Sequence, residues 1–575
     1  MNRILNNSFA LAGIVALLAG IIFIPLIGNC PLFDWDEINF AECAREMIVT
    51  GNYSQVQINF QPFWEKPPFF IWLQAMSMNV FGVNEFAARL PNAVCGIFTS
   101  VTLFFIGKRL FSDRFGLWWA LIHAGTLLPS LYFKSGVIDP WFNYFIFLSI
   151  ILFVGSFHQS GYKSVLFTII AAALLGVAVL TKGPAALLIE GVTLFIFILI
   201  TSRWKFLFHP RFFLFIIITL VTSASWFAVM YAKGNEYIIE QFINYQIRLF
   251  QTEDSGHSGP FFYHAIVLLL GCFPTSVIFI LSYQKKFQMA DQQHYARAAI
   301  LVLFWVVLIL FSVVKTKIVH YSSLCYYPIS FLVAIGIYKM SFKERFTKIY
   351  KITFIAITIL FSLAFLLFTQ LNYVKEFLLK HDLIKDEFAK LNLKAELIWH
   401  GYEILIPLLF ITAMIFIYKG LCSNLPHYFK WGYAMNIVFI ISAINTFVPK
   451  AELISQHSAI AFYQQIAKHD VYVETNNFKS YAYIFYSDRR PHHYQSKQFK
   501  DFLEYFYSVQ EKDAFKLSYF ATANAYWLKT GEIDKPGFLV GKSTDEEDVM
   551  KHPGIVKLYE KNGFSFFVRM PEYDK

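Results

Sequence analysis

Long apolar runs recur along most of the chain, from about Ser8 to Val448. Runs of about 18 or more apolar residues are long enough to cross the hydrocarbon core of a bilayer. We therefore predict about thirteen membrane-spanning helices. They lie near residues 8–27, 88–107, 115–132, 139–156, 164–181, 184–201, 212–231, 262–283, 298–314, 322–338, 351–370, 401–418 and 431–448.

Two of the connecting loops are long enough to carry structure of their own. In the first, about 29–87, the stretches 37–49 and 68–81 have the periodicity of short amphipathic helices, which we expect to lie at the membrane interface. The second loop, about 232–261, contains another periodic stretch at 237–250. These stretches predict ordered loops on one side of the membrane.

The hydropathy falls after Val448. Short β-rich runs at 471–474, 483–486, 538–540 and 564–568 alternate with helical ones such as 460–469. The predicted fold is an all-α polytopic membrane domain at 1–448, followed by a small, soluble, mixed α/β domain at 449–575. We expect this domain to cover the external mouth of any cavity in the membrane domain.

Composition supports the membrane class. The 575 residues are 57% hydrophobic and only 15% charged, whereas soluble domains are about a quarter charged. Disordered, collagen-like, coiled-coil and disulfide-scaffold proteins are excluded by the same figures. Of the six cysteines, only Cys30 and Cys43 share a predicted external loop, so theirs is the one pairing that the topology allows there.

The net charge of +10 is explained by where the charges lie. Basic residues in loops on the N-terminal side include Lys108, Arg109, Arg114, Arg203, Lys205, Arg211, Lys339, Lys348, Lys419 and Lys430. Acidic residues on the other side include Asp34, Asp36, Glu37, Glu42, Glu46, Glu65, Glu85, Glu236 and Glu240. The positive-inside rule then predicts a cytoplasmic N-terminus and an external C-terminal domain, and the charge gives no indication of a nucleic-acid partner.

Three ionisable residues lie within or at the ends of the predicted spans, where charges are costly and mark functional sites. Asp139 begins one span and could instead be a helix cap, because Pro140 follows it. Lys182, at an external turn, could be a snorkelling lysine. Glu190 could be a buried, protonated carboxyl.

The external loops carry further clusters of charged side chains. Asp36 and Glu37 follow the first span, where a helix N-terminus would also favour acidic residues. Lys66 is presented rigidly before two prolines. Other candidates are Glu65, Arg248, His257, Lys317, His320 and Tyr321. Carboxylates for acid–base chemistry beside Lys, Arg and Tyr for phosphate suit group transfer from a lipid phosphate.

In this order the motifs resemble a known family. The matching segments are Asp36-Glu37, Ala41-Glu42, Arg45-Glu46-Met47, Gly51-Asn52-Tyr53, Glu65-Lys66-Pro67-Pro68, Phe81-Gly82, Arg89-Leu90-Pro91, Leu180-Thr181-Lys182-Gly183, Arg248…His257-x-x-Pro260-Phe261-Phe262-Tyr263 and Lys317-x-x-x-Tyr321. They resemble the signature of the GT-C glycosyltransferases of the aminoarabinose-transferase (ArnT) and protein O-mannosyltransferase (PMT) superfamily, glycosyltransferase family 39. The resemblance covers roughly residues 8–340 well.

The resemblance implies an inverting transfer of a sugar from a polyprenyl phosphate, such as undecaprenyl phosphate, to an acceptor on the external face. It assigns Asp36, with Glu37, to catalysis. It assigns Lys66, Arg248, Tyr321 and Lys317 to the donor phosphate, and Asp139, Lys182 and Glu42 to the cavity. Glu65 and His257 match positions that can bind a divalent metal, but two ligands make a weak site, so a metal is optional. No other cofactor is implied.

One departure concerns the acceptor. Where aminoarabinose transferases carry Arg-Tyr after the acidic pair, this chain has Asn39-Phe40. We expect a lipid A-like envelope glycolipid in a bacterial inner membrane as the acceptor, with a protein as the alternative, and a monomeric enzyme. A transporter or flippase is a more distant alternative, and it would tend to show repeated halves, which this sequence lacks. A non-catalytic membrane scaffold is the third.

Overall fold

The computed structural model describes residues 8–251, 259–283, 288–339, 342, 344–491, 499–504 and 517–572. The first part is helical. Its helices are α1 (Ser8–Phe23), α2 (Asp36–Thr50), α3 (Phe69–Phe81), α4 (Glu85–Leu110), α5 (Asp113–Ala124), α6 (Leu127–Tyr132), α7 (Asp139–Ser156), α8 (Gly161–Lys182), α9 (Ala185–Ile200), α10 (Pro210–Ala232), α11 (Glu236–Gln251), α12 (Tyr263–Gly271), α13 (Thr275–Tyr283), α14 (Asp291–Val313) and α15 (Tyr326–Lys339).

The rest of the chain adds helices and a sheet. The helices are α16 (Lys348–Thr369), α17 (Leu371–Lys380), α18 (Glu387–Asn392), α19 (Leu405–Ser423), α20 (Pro426–Leu453), α21 (His457–Ile466), α22 (Ala482–Tyr486), α23 (Leu517–Thr530) and α24 (Glu546–Met550). The strands are β1 (Gln57–Ile58), β2 (Gln61–Pro62), β3 (Tyr472–Asn476), β4 (Gly537–Lys542), β5 (Ile555–Lys561) and β6 (Phe564–Arg569).

Within the described ranges, nine helices are long and apolar enough to cross a membrane, or ten if the bent pair α12 and α13 forms one span. Helices α1 and α9 are apolar but shorter, at 16 residues each. The predicted span at 115–132 is broken into α5 and α6. The span at 262–283 bends by 111° between its two helices, where Pro274 cannot continue the helical hydrogen bonds.

Helix α2 confirms the helix predicted at 37–49. The prediction that it is amphipathic, with an exposed polar face, is wrong. Every side chain from Glu37 to Met47 is buried, because the part of the chain that follows α20, here called the C-terminal part, packs against the helix. The helix ends at Gly51, whose φ of 69° lies in the left-handed region that glycine adopts without strain. Cys30 and Cys43 are both free, and burial raises the pKa of Cys30 to about 12.

Two buried arginines join the first long loop, which contains α2, to the C-terminal part. Arg45 donates to Glu42 at 2.6 and 2.7 Å and to Asp488 at 3.1 Å. Arg489 donates to Glu474 and to Asn59, each at 2.7 Å, and to the carbonyl of Val473. Both guanidinium groups are almost fully buried, so removal of either would leave carboxylates without a counter-charge.

The C-terminal part contains a four-stranded sheet in the order β3-β4-β6-β5. Strand β3 is parallel to β4, while β6 is antiparallel to both of its neighbours. The strands predicted at 471–474, 538–540 and 564–568 are confirmed. The strand predicted at 483–486 is wrong, because these residues form the short helix α22. All of them are buried, so the run is uniformly apolar and shows neither the period of a strand nor that of a helix.

A single apolar core joins this sheet to the first external loop. It contains Ile38 and Met47 of α2 together with Tyr463, Val540 and Phe566. The C-terminal part is therefore packed onto the loop, and the wall between them contributes to the cavity described next.

Candidate functional site

A polar cavity of about 200 Å³ lies where the first long loop and α11 meet the ends of α7 and α8. Its ionisable and aromatic lining includes Trp35, Asp36, Glu65, Lys66, Asp139, Lys182, Tyr245, Arg248, His320, Tyr321, Lys479 and Tyr481. The structure thus brings together Asp36, Glu65, Lys66, Asp139, Lys182, Arg248 and Tyr321, which the sequence analysis singled out from separate segments.

An ion pair forms the floor of the cavity. The Nζ of Lys182 lies 2.6 Å from Oδ1 of Asp139. Asp139 begins α7 but makes no side-chain cap, so it is an ion-pair partner and not the helix cap considered as an alternative. Lys182 also lies over the rings of Phe142 and Tyr321, at 5.7 and 5.1 Å. It is therefore held inside the protein and does not snorkel.

His320 joins two carboxylates across the cavity. Its Nε2 lies 3.8 Å from Oδ2 of Asp36 and 3.8 Å from Oδ2 of Asp139. Asp139 is 2% exposed, and this Oδ2 has no hydrogen-bond partner among the described residues. Asp36 keeps 45% of its side chain exposed. Of these two carboxylates, Asp36 is thus the one that a ligand in the cavity can reach, and the imidazole of His320 lies beside it.

Two further cations come from the first long loop and from α11. The Nζ of Lys66 and the guanidinium carbon of Arg248 each lie 5.2 Å from the ring centre of Tyr245. Tyr245 belongs to α11, so this helix supplies Arg248 together with the aromatic ring that both cations contact. With Lys182, they make three of the four Lys and Arg side chains in the described lining, and such cations can bind an anionic group such as a phosphate.

The cavity continues toward the apolar part of the protein. An adjoining cavity shares Lys66, Asp139, Lys182 and Tyr321 with it and is lined deeper by aliphatic side chains. From there an apolar groove of about 600 Å³ runs between α9 and α14. Its lining includes Leu188, Val192, Ile196, Leu301, Val306, Ile309 and Leu310, and Leu188 and Leu310 also line the adjoining cavity. The cations thus lie at one end of a continuous apolar path.

Glu37 does not line this cavity. Its carboxylate lies 2.8 Å from Arg89, and it accepts backbone hydrogen bonds from Phe33 at 3.0 Å and Gly136 at 2.5 Å. Burial would raise the pKa of Glu37, but Arg89 and these N–H groups outweigh it and lower the pKa. Its position corrects the assignment of Glu37 to catalysis, since both oxygens are engaged in holding the loop.

Glu42 and Lys317 also lie away from the cavity. Glu42 is fully buried beside Arg45 in the contact with the C-terminal part. Lys317 donates to the carbonyls of Phe311, Ser312 and Val314, at 2.9, 2.7 and 2.6 Å. It satisfies carbonyls at the end of α14 that have no partner within the helix. Its side chain is therefore used within the protein and not toward the donor phosphate.

Of the two candidate metal ligands, the structure describes only one. Glu65 lines the cavity, while His257 lies outside the described residues. In the described part of the chain, no group of three or more His, Cys, Asp or Glu side chains comes together as a metal site. Glu190, for its part, is fully buried and accepts a hydrogen bond from Ser149 at 2.5 Å.

Five of these lining residues had no assigned role in the sequence: Trp35, Tyr245, His320, Lys479 and Tyr481. His320 carried a signal, because it lies in the external cluster between Lys317 and Tyr321. Trp35 directly precedes Asp36. Lys479 and Tyr481 lie more than 440 residues along the chain from Asp36, in the part predicted as a separate domain, so no local pattern could bring them to the site.

Comparison with known proteins agrees with this geometry. Residues 65–227 match the family model of dolichyl-phosphate-mannose-protein mannosyltransferases. An undecaprenyl phosphate-α-4-amino-4-deoxy-L-arabinose arabinosyl transferase from Wigglesworthia glossinidia brevipalpis is 25% identical, over 78% of this chain and 77% of its own length. The transferase of the same name from Pseudomonas paraeruginosa is also 25% identical, over 54% of this chain and 57% of its own.

Solved structures show the same fold. ArnT from Cupriavidus metallidurans, bound to undecaprenyl phosphate, superposes with a TM-score of 0.72 at 16% identity, over 96% of this chain and 97% of ArnT. The oligosaccharyltransferase of Archaeoglobus fulgidus gives a TM-score of 0.50 at 11% identity, over 93% of this chain and 70% of its own. The chain therefore has the fold of ArnT, and its sequence is similar to the aminoarabinose transferases and to the protein mannosyltransferases of the GT-C superfamily.

Proposed function

We propose that the protein transfers a sugar from a polyprenyl-phosphate carrier to an envelope glycolipid on the external face of the membrane. One observation carries this proposal: Lys66, Lys182 and Arg248 line the same polar cavity as the exposed carboxylate of Asp36, and an apolar groove leads away from it. A lipid phosphate needs both an anion site and an apolar path for its tail.

The donor fits this arrangement end to end. Its phosphate would lie among Lys66, Lys182 and Arg248, with Tyr321 beside them. Its isoprenoid chain would follow the groove between α9 and α14, whose lining is aliphatic over most of its length. Cations held in a partly buried site stabilise a leaving phosphate more strongly than they would in water. In the related ArnT structure, the bound molecule is undecaprenyl phosphate.

The chemistry is a single displacement at the anomeric carbon. The acceptor oxygen forms a bond to this carbon while the bond from the carbon to the phosphate oxygen breaks, and the polyprenyl phosphate leaves with the bonding electrons. Asp36 accepts the proton that the acceptor loses. His320 is a positioning residue, since it lies between Asp36 and Asp139. One displacement inverts the anomeric configuration.

The acceptor class has two candidates. The relatives named for aminoarabinose transfer favour a lipid A-like glycolipid. The family model named for protein mannosylation favours a protein side chain. We favour the glycolipid, because the alignment with the aminoarabinose transferase extends over 78% of the chain, whereas the family model covers only residues 65–227.

We also propose a topology with thirteen membrane passages. The nine long helices, the bent pair, helices α1 and α9, and the broken helix formed by α5 and α6 would make up this number. Residues 1–448 would form the catalytic membrane domain of a bacterial inner-membrane enzyme, with external loops at 29–87 and 232–261. The cytoplasmic N-terminus follows from the basic loops, and residues 449–575 would form an external domain.

The test uses the full-length protein in nanodiscs with undecaprenyl phosphate carrying radiolabelled 4-amino-4-deoxy-L-arabinose, and with lipid A or membrane proteins as acceptors. Labelled lipid A with release of undecaprenyl phosphate supports the proposal. Labelled protein supports the alternative acceptor, and movement of intact donor across the bilayer supports a transporter.

The matched variants are Asp36→Asn and Asp113→Asn. Both residues lie in the first turn of a helix and are exposed to a similar extent, 45% and 43%. We expect only Asp36→Asn to abolish transfer, since general-base catalysis contributes about 10²–10⁴-fold. Equal activity of the two variants would remove Asp36 from the mechanism.

A further inference from the structure

Resting on the proposed function, we propose that Trp35 and Lys479 form the acceptor subsite and bind a phosphorylated sugar unit. The indole would pack against the apolar face of the sugar ring, and the ammonium group would bind its phosphate. The subsite lies between the first external loop and the C-terminal part, so neither part builds it alone.

Trp35 is placed as a platform beside the proposed base. It immediately precedes Asp36, lines the polar cavity and is 45% exposed. An indole that is exposed inside a polar cavity offers an apolar ring face and a polar N–H edge. These suit a ligand, such as a sugar, that has both apolar and polar surfaces. A hydroxyl or phosphate of a sugar on this ring would come within reach of the neighbouring carboxylate.

Lys479 completes the platform from the C-terminal part. Its Nζ lies 4.6 Å from the ring centre of Trp35, within the range of a cation–π contact. Tyr481 contacts the same indole edge-on, with ring centres 6.0 Å apart. The ammonium group is thus held over an aromatic ring inside the cavity, where it remains available to an anion.

Hydrogen bonds fix the backbone around this pair. The N–H of Tyr481 donates to the carboxylate of Asp34 at 3.1 Å. Gln456 accepts from the N–H of Asp34 at 3.2 Å and donates to the carbonyl of Leu32 at 2.7 Å. The loop that carries Trp35 and the segment that carries Lys479 are therefore held in register with one another.

A second cavity, of about 310 Å³, extends from this pair into the C-terminal part. Lys479 and Tyr481 line both cavities. The other lining residues include Asn59, Asn476, Asn477, Ser480, Tyr526 and Lys529, and none of the described lining residues is acidic. Lys529 is already paired with Asp548 at 3.5 Å, which leaves Lys479 as the cation that faces a ligand from this lining. Amides, hydroxyls, aromatic rings and this lysine suit a phosphorylated saccharide larger than one sugar.

Asp36 lines the same cavity as both proposed subsites. The donor cations are Lys66, Lys182 and Arg248, while the acceptor pair joins Trp35 of the first loop to Lys479 of the C-terminal part. Because the two sets share no residue, we expect each set of contacts to be removable without the other. Lys479 also gives the site an acceptor contact outside the first loop, in which Asn39-Phe40 stands where aminoarabinose transferases carry Arg-Tyr.

The experiment measures binding to the full-length protein in phosphatidylcholine nanodiscs. The probes are lipid A, its dephosphorylated form and undecaprenyl phosphate. We expect Lys479→Ala and Trp35→Ala each to weaken lipid A binding about tenfold, while undecaprenyl phosphate binding stays within about twofold. Dephosphorylated lipid A should bind wild type and Lys479→Ala alike, and Trp35→Phe should retain most of the lipid A affinity.

Two control variants lie away from the cavity. Lys551→Ala removes an exposed lysine of the C-terminal part, and Trp431→Ala removes an exposed indole that has Lys430 5.6 Å from its ring centre. Both should bind all three probes as wild type does.

Three results would overturn the subsite: unchanged lipid A binding in Lys479→Ala and Trp35→Ala, loss of undecaprenyl phosphate binding in both variants, or failure of the wild type to bind lipid A while it binds undecaprenyl phosphate. Lys479 is exposed, so its variant should fold even if Trp35→Ala does not. Failure of the wild type to bind undecaprenyl phosphate would instead count against the proposed function.

Discussion

The Nζ of Lys182 lies 2.6 Å from Oδ1 of Asp139, and this ion pair joins the last residue of α8 to the first residue of α7. Only 17% of the Lys182 side chain and 4% of the Asp139 side chain are exposed. The pair therefore has two functions at once: it fixes the ends of two spans, and it holds a cation at the proposed phosphate site.

We expect the two functions to separate in a double-mutant cycle. Lys182→Met leaves Asp139 buried without its partner and should cost about 3 kcal/mol, the lower end of the range for a broken buried pair. Lys182→Met with Asp139→Asn should recover most of this stability, because no charge is left unpaired, but should not recover transfer. Thermal unfolding and initial rates measure the two effects, and recovery of transfer in the double variant would contradict the role of Lys182 at the phosphate.

Asp36 and Glu37 are neighbours in sequence with opposite expected phenotypes. Asp36→Asn should abolish transfer with little change in thermal stability, because its side chain is half-exposed. Glu37→Gln should instead destabilise the protein by about 3–5 kcal/mol, because it leaves the buried guanidinium of Arg89 without a counter-charge. Thermal unfolding together with an undecaprenyl phosphate binding assay separates the two, and a stable but inactive Glu37→Gln protein would restore Glu37 to catalysis.

The sequence predicted most of the long apolar helices and several of the residues that line the cavity, because both depend on local patterns. Hydropathy identifies a span such as 139–156 within one stretch of chain, and the topology then places Asp36, Lys66, Asp139, Lys182 and Arg248 near the external ends of their elements. It could not separate Asp36 from Glu37, since helix rotation decides which of two adjacent carboxylates meets Arg89 and which meets the cavity.

Residues that depend on long-range docking were beyond the reach of local patterns. The family resemblance assigns Glu42 to the cavity, but its partner Arg45 binds Asp488 and the carbonyl of Arg489, more than 440 residues away along the chain. Lys479 reaches Trp35 for the same reason. The pairing of the C-terminal part with the first loop is set by a shared apolar core, which no single segment of sequence shows.

Lys317 and Lys66 form a second contrasting pair. Lys317→Ala removes three hydrogen bonds to backbone carbonyls and should lower stability by about 1–3 kcal/mol without changing the affinity for undecaprenyl phosphate. Lys66→Ala should weaken this affinity about tenfold with little loss of stability. Nanodisc binding and thermal unfolding of both variants test the contrast. A loss of donor affinity with unchanged stability in Lys317→Ala would return Lys317 to the phosphate site.

Arg489 and Arg490 test how far the C-terminal part depends on the first loop. Arg489 is 1% exposed and pairs with Glu474, whereas Arg490 is 44% exposed and pairs with Asp488. Arg489→Met should destabilise the whole protein by about 3–5 kcal/mol, while Arg490→Met should change stability by less than about 1 kcal/mol. Limited proteolysis and thermal unfolding measure this.

The same contacts predict that a chain truncated after Val448 fails to fold, since the apolar core shared with α2 would be exposed. A monodisperse truncated protein that still binds undecaprenyl phosphate would show that the membrane part folds independently.

His457 gives the junction after α20 a defined pH dependence. Its Nδ1 lies 3.1 Å from the carboxylate of Glu452, and this hydrogen bond raises the pKa of His457 above 6.5, against the opposing effect of burial. A histidine whose pKa is raised in the folded state contributes its full stabilisation below the unfolded pKa, and the contribution is lost as the pH rises through the folded pKa.

We therefore expect the melting temperature to fall as the pH increases above about 6.5. His457→Gln should lose this component of the pH profile. Because the His457 side chain is 40% exposed, the effect should stay below about 1 kcal/mol. Melting curves of both proteins between pH 5.5 and 8.5 measure it, and parallel profiles would exclude the pair as a source of pH dependence.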